Sequence, residues 1–335
     1  MKAVSLALLI LGFSCFQAQS QDVKSLQETA RSFLNQGDYA NATIVLTRAR
    51  LQDQDNLQLN KDLAFAQFMQ RDLNAAMQTI KPVIDRRDAD VETFQIAGMI
   101  FKEREDPSET EKLYRKAIKK FPASGALYSE YGELLWLQQD FNAIKQWEKG
   151  IEVDPNFTGN YYNAAKYYFF TVDKAWGPIY AEIFVNMESY SSRTIEIKTL
   201  LVNSYKKMFS DGDILKNQNT KNEFATAFLT TLNKQASILS LGITPESLTM
   251  MRTRFILDWD EQYAQKFPYR LFEHHRQLLR EGLFDAYNQW LFGPVQNLTS
   301  FQNWTATHAE AYKQFTDFQR GRVFKMSSGQ NYQTK

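Results

Sequence analysis

Small and aromatic residues recur in this chain every 34 positions, and that spacing constrains the fold more than any other feature. Ala42, Ala76 and Thr110 stand 34 residues apart, as do Ala30, Ala64 and Gly98 ahead of them. Leu46, Ile80 and Tyr114 follow in the same register, then Ala49, Val83 and Ala117. A unit of that length holds two helices and a turn, but neither helix can bury its apolar stripe alone, so successive units must stack. Gly37-Asp38-Tyr39 marks the turn of the first unit, where glycine accepts the positive φ of a helix end. Lys120-Phe121-Pro122 and Val153-Asp154-Pro155 close the third and fourth units, since proline cannot continue a helix.

These residues resemble the tetratricopeptide (TPR) repeat, of the kind found in exported bacterial proteins. The resemblance implies an all-α fold: a right-handed TPR helical-hairpin solenoid followed by a helical C-terminal domain. Four units occupy 21–157, counted from Val23, and Ala143-Ile144-Lys145-Gln146-Trp147-Glu148-Lys149-Gly150 carries the family pattern best. Ala143 lies only 33 residues after Thr110, so this unit is one residue short between its helices. A degenerate fifth unit over 158–188 begins with Tyr161, Ala164, Ala165 and Tyr168. It departs from the pattern at Trp176-Gly177-Pro178, where a helix should be running.

Residues 1–20 read as an export signal. Lys2 supplies the charge, Ala3 to Phe13 the apolar stretch, and Ala18-Gln19-Ser20 the small residues of a cleavage site. The expected location is the periplasm or cell envelope of a Gram-negative bacterium. The single cysteine, Cys15, is a candidate for lipid attachment, although Gly12 stands where a lipobox prefers leucine; membrane association is expected only in that case. Cleavage after Ser20 leaves no cysteine for a disulfide or thiolate site. It also removes one of the 39 basic residues, which leaves 38 against 38 acidic. A balanced chain has no global field for nucleic acid. The cluster Lys112, Arg115, Lys116, Lys119 and Lys120 sits beside Glu109 and Glu111 and reads as a solvated helix face.

In TPR proteins the first helix of each unit lines a concave groove. Carried over in register, the resemblance places Phe65, Phe68 and Met69 there, and in later units Trp136, Leu137, Phe169 and Phe170. Arg31, Lys61, Lys102 and Lys166 fall at the edge as orienting charges. Aromatic side chains bury roughly 150–250 Å² each, and soluble proteins seldom leave so much apolar surface open. Something is expected to cover it: a protein or peptide partner, or the chain's own C-terminal half. A clamp for a chaperone's C-terminal carboxylate is not matched, since Gln27, Arg31, Lys61 and Phe65 do not reproduce its lysines and asparagines.

Residues 189–320 remain helical in pattern without the period. The segments read as Ile195 to Met208, closed by Asp211-Gly212-Asp213, then about 221–241, about 245–266 from a Thr244-Pro245-Glu246 start, and about 301–318. Phe284, Ala286 and Trp290 keep the mutual offsets of Phe141, Ala143 and Trp147, so 269–292 reads as a TPR-like hairpin, broken by Gly293-Pro294. A polar tail, expected to be loosely held, occupies 321–335. No metal, phosphate or nucleotide motif occurs, and adjacent His274 and His275 diverge by about 100° on a helix, so they read as surface or hairpin histidines. No cofactor is expected. The reading is a noncatalytic protein-binding scaffold or assembly adaptor. The alternatives are an enzyme with its site in 190–320 and the repeats as a recruiting arm, or a carbohydrate-binding envelope protein.

Overall fold

The computed structural model describes residues 22–210 and 212–334, so the export and lipidation readings at 1–20 lie outside the described residues. The described residues contain helices and no strands. They form two compact units that divide between Pro122 and Ala123, inside the repeat array.

The first unit holds three hairpins: α1 (22–35) with α2 (Tyr39–Gln52), α3 (Leu57–Met69) with α4 (Leu73–Ile84), and α5 (Val91–Glu103) with α6 (Pro107–Lys120). The turn inside each hairpin has one construction. Gly37, Arg71 and Glu105 sit in the left-handed region at φ 73°, 64° and 57°. The next residue, Asp38, Asp72 or Asp106, caps the following helix by accepting from the backbone N–H three residues on. These aspartates are 34 apart, a periodicity as regular as that of the small residues. Ala30, Leu46, Leu59 and Leu63 lie in the core where the first two hairpins stack.

Size compensation explains the small positions. Ala30 and Ala64 belong to hairpins whose second helix carries Leu46 and Ile80, whereas Gly98 belongs to the one carrying Tyr114. A Cβ on Gly98 would overlap the Tyr114 ring. In the second unit Gly132 stands in the same relation to the Trp147 indole.

The second unit continues with the hairpins α7 (Gly125–Leu137)/α8 (Ala143–Val153) and α9 (Thr158–Phe169)/α10 (Trp176–Met187). Gln139 repeats the left-handed turn at φ 62°. Asp140 keeps the 34-residue register, and the missing residue is absorbed after it in a tight turn over 141–142. Against expectation, α10 runs straight through Gly177-Pro178. Pro178 is its third residue, where a backbone N–H has no intrahelical partner to lose. Asp173 starts the helix by accepting from the N–H groups of Ala175 and Trp176 at 2.8 and 2.9 Å. Every residue from Trp176 to Val185 is buried, which makes α10 the central element of this unit.

Around it lie α11 (Ser192–Phe209), α12 (Glu223–Asn233), α13 (Pro245–Gln262), α14 (Arg270–Arg280), α15 (Phe284–Gln296), α16 (Leu298–Thr307) and α17 (Ala309–Arg320). The segment expected over 221–241 is a shorter helix followed by a 3-10 turn at 236–241, and the expected 301–318 helix is two helices meeting at His308. The α14/α15 hairpin turns at Gly282 (φ 71°) with the bond pattern of the repeat turns, Leu283 N–H to Leu278 carbonyl at 2.8 Å.

Gly293-Pro294 does not break α15 either. Pro294 cannot donate to the Trp290 carbonyl one turn back, and the ammonium of buried Lys198 on α11 donates to that carbonyl instead, at 2.8 Å. The tail is docked rather than loosely held. Phe324 and Met326 are buried, and Tyr332 stacks on Phe224 at 4.7 Å while its hydroxyl donates to the Pro268 carbonyl.

Candidate partner-binding site

The groove residues meet different fates. On α3, Phe65 is half-buried with its ring edge-to-face against Tyr39 at 6.2 Å, Phe68 is half-buried, and Met69 is exposed. Lys61 is not a free orienting charge: its side chain is 3% exposed and its ammonium donates to Asp90 at 2.6 Å and to Glu92. Burial by itself would depress that ammonium's pKa, and the two carboxylates more than offset it, so the net shift is upward. Arg31 is exposed on α1 and Lys102 half-buried on α5.

In the second unit the predicted anchors gather at the C-terminal ends of two adjacent helices. Trp136 and Leu137 end α7; Phe169 ends α9 and Phe170 is its cap. Leu137 is 75% exposed and Phe170 73%. Trp136 is bracketed by Phe141 at 6.2 Å and Tyr167 at 5.7 Å, and Phe169 meets Phe170 edge-to-face at 5.3 Å. Phe141 and Val172, both exposed, extend this apolar edge and were missed by the groove register. Phe141 directly follows the turn aspartate Asp140, as Tyr39 follows Asp38, so the 34-residue period held the signal. Lys166 is paired: its ammonium donates to Glu196 at 2.7 Å and to the Tyr162 hydroxyl at 3.1 Å.

A second group of polar residues, none of them predicted as a site, lies inside the second unit. The Glu182 carboxylate on α10 pairs with Arg252 on α13 and accepts from His275 Nε2 at 2.8 Å and from the Tyr287 hydroxyl at 2.7 Å. Asn288 accepts from Arg252 and gives its own amide to the Phe284 carbonyl. Burial alone would raise the Glu182 pKa, yet Arg252 and His275 hold it down at about 2. His274 and His275 are therefore core rather than surface residues, and burial depresses both, His274 to about 3.

This is the cluster of buried carboxylate and histidine that an enzyme reading calls for, but Arg252, His275 and Tyr287 already converge on one oxygen of the Glu182 carboxylate. The adjoining cavity, of about 10 Å³, has room for a water molecule and not a substrate. The cluster's chemistry is that of a buried ion pair supported by hydrogen bonds from His275 and Tyr287. Among the described residues, no three His, Cys, Asp or Glu side chains come together as metal ligands would. No described helix is long and apolar enough to cross a membrane.

No family model matches the chain, and no curated protein does. Among solved structures it is similar to a tetratricopeptide repeat protein from Parabacteroides merdae ATCC 43184, at 14% identity and TM-score 0.45 over 88% of this chain and 99% of that one. It is also similar to TTC0263, a TPR protein of Thermus thermophilus, at 10% identity and TM-score 0.43 over 55% of this chain and 99% of that one. MamA matches at 14% identity and TM-score 0.40 over 56% of this chain and 94% of that one. The hairpins of this chain, with their repeated turn and cap, define a TPR-like helical-repeat protein.

Proposed function

We propose that the chain is a noncatalytic scaffold of the cell envelope that holds a protein or peptide partner against the apolar edge at the ends of α7 and α9. The observation that carries this reading is the grouping of Trp136, Leu137, Phe141 and Phe170 there, with Leu137 and Phe170 about three-quarters exposed. Large side chains gathered at a surface are what a partner's hot spot uses. The helices of residues 190–335 leave these side chains uncovered, which favours a partner over self-capping at this edge. Residues 2–20 support export, and Cys15 offers lipid attachment as the route to a membrane.

A photo-crosslinking amino acid at Leu137, in the exported protein within intact cells, tests the reading. A discrete heavier adduct is expected, and it disappears in Phe170→Glu, whose stability should stay within about 0.5 kcal/mol of the parent. Crosslinks confined to residues 190–335 of the same chain would mean self-capping and overturn the proposal.

A further inference from the structure

A cavity of about 340 Å³ opens between the C-terminal part of α13 and the start of α14, separated from the small cavity beside the Glu182 cluster by the Phe272 ring, which lines both. That volume falls in the range of small-ligand sites. Its floor is aromatic: Trp259, Phe267 and Phe272 line it, with Trp259 and Phe272 in T-shaped contact at 4.8 Å. Its rim is charged, and the charges do not cancel. Asp260 is taken by an ion pair with Arg276. Glu273, one turn before Arg276 on α14, has no ion-pair partner among the described residues.

We infer that this cavity binds an organic cation, an alkylammonium group that enters over the aromatic floor and pairs with the Glu273 carboxylate. Two physical terms favour a cation over a neutral ligand of the same shape. The uncompensated carboxylate beside a low-polarity floor attracts positive charge more strongly than it would in water. The ring quadrupoles add to that attraction. The chain uses the same chemistry beside the cavity, where the Lys266 ammonium lies 5.2 Å from the Phe267 ring centroid and pairs with Glu223 at 2.7 Å. It recurs at Tyr162, which carries Lys166 at 4.8 Å while that lysine pairs with Glu196.

The ammonium can belong to a free small molecule or to a lysine side chain of a partner, and the test separates these sources. The full chain carrying ¹⁵N-labelled tryptophan is titrated with choline and with its uncharged isostere 3,3-dimethylbutan-1-ol, then with Nα-acetyl-lysine amide and its Nε-acetylated form. The Trp259 indole resonance is followed. The inference predicts a saturable shift with at least one cation and none with the neutral isosteres. Choline alone would indicate a free ammonium, and acetyl-lysine amide alone a partner's side chain. Glu273→Gln should weaken binding about tenfold, and Arg276→Gln, which removes the repelling charge, should tighten it. Should Glu273→Gln fail to fold, the charge comparison and Arg276→Gln still decide. Equal binding of charged and neutral probes, no shift with any cation, or undiminished binding by folded Glu273→Gln would overturn the inference.

Discussion

Four residues of the repeat turns show how much a single position can cost. Gly37, Arg71, Glu105 and Gln139 occupy equivalent sites at positive φ, and only the first is glycine. An L residue pays roughly 1–2 kcal/mol in that region, partly regained because glycine loses more entropy on folding. Arg71→Gly and Gln139→Gly should each raise stability by about 0.5–1 kcal/mol in chemical denaturation. For Arg71 the gain is reduced by loss of its exposed ion pair with Glu103. Gly132→Ala should act in the opposite sense. Its Cβ would meet the Trp147 indole, whose N–H is held by the Ser129 carbonyl at 3.2 Å, so overpacking should cost about 1–3 kcal/mol.

At the scale of elements, α15 depends on α11. Lys198 is buried, with its ammonium 3.6 Å from the Trp290 ring centroid and bonded to the carbonyl that Pro294 leaves unpaired. Burial pushes its pKa down to about 7. Lys198→Met should cost about 1–3 kcal/mol by orphaning that carbonyl, and the cost should shrink in a Pro294→Ala background, where a backbone N–H can take over. A double-mutant cycle by urea unfolding measures the coupling. Likewise, Glu182→Gln joins α10 and α13 less well than the ion pair does. It leaves the buried Arg252 guanidinium without its counter-charge, at an expected cost of about 3–5 kcal/mol, whereas no effect on stability would contradict the structural role given to this cluster.

For the molecule as a whole, these buried groups set the response to acid. The folded-state pKa of His274 is depressed from 6.5 to about 3 and that of Glu182 from 4.5 to about 2. In both cases the unfolded chain binds more protons, so stability present above pH 6.5 is lost as pH falls, first through His274 and then through Glu182. Glu148, pushed up to about 7 by burial, works in the opposite sense: its contribution is present below pH 4.5 and fades as pH rises through 7. Denaturation midpoints measured from about pH 7 to about pH 3 should therefore fall, and His274→Gln should flatten the fall.

The sequence by itself determined the repeat. A 34-residue period needs only local propensity and a stripe that recurs, and the positions of Ala30, Ala64, Gly98 and Gly132 announced it before any packing was known. The α14/α15 hairpin was legible for the same reason, in the offsets of Phe284, Ala286 and Trp290. What the sequence could not contain was long-range pairing. Pro294 reads as a break because its compensating group, Lys198 on another helix, becomes a partner only in space, whereas Pro178 is tolerated for a local reason, its place in the first turn of α10. Lys61, His274 and His275 read as surface or edge residues because burial is decided by neighbouring elements, not by a side chain's own polarity. Only the tertiary structure brought Arg252, His275 and Tyr287 to Glu182, from positions 70 to 105 residues further along the chain. It did so because α10 is buried along its length, and a carboxylate there folds stably only where opposite charge and hydrogen-bond donors converge on it.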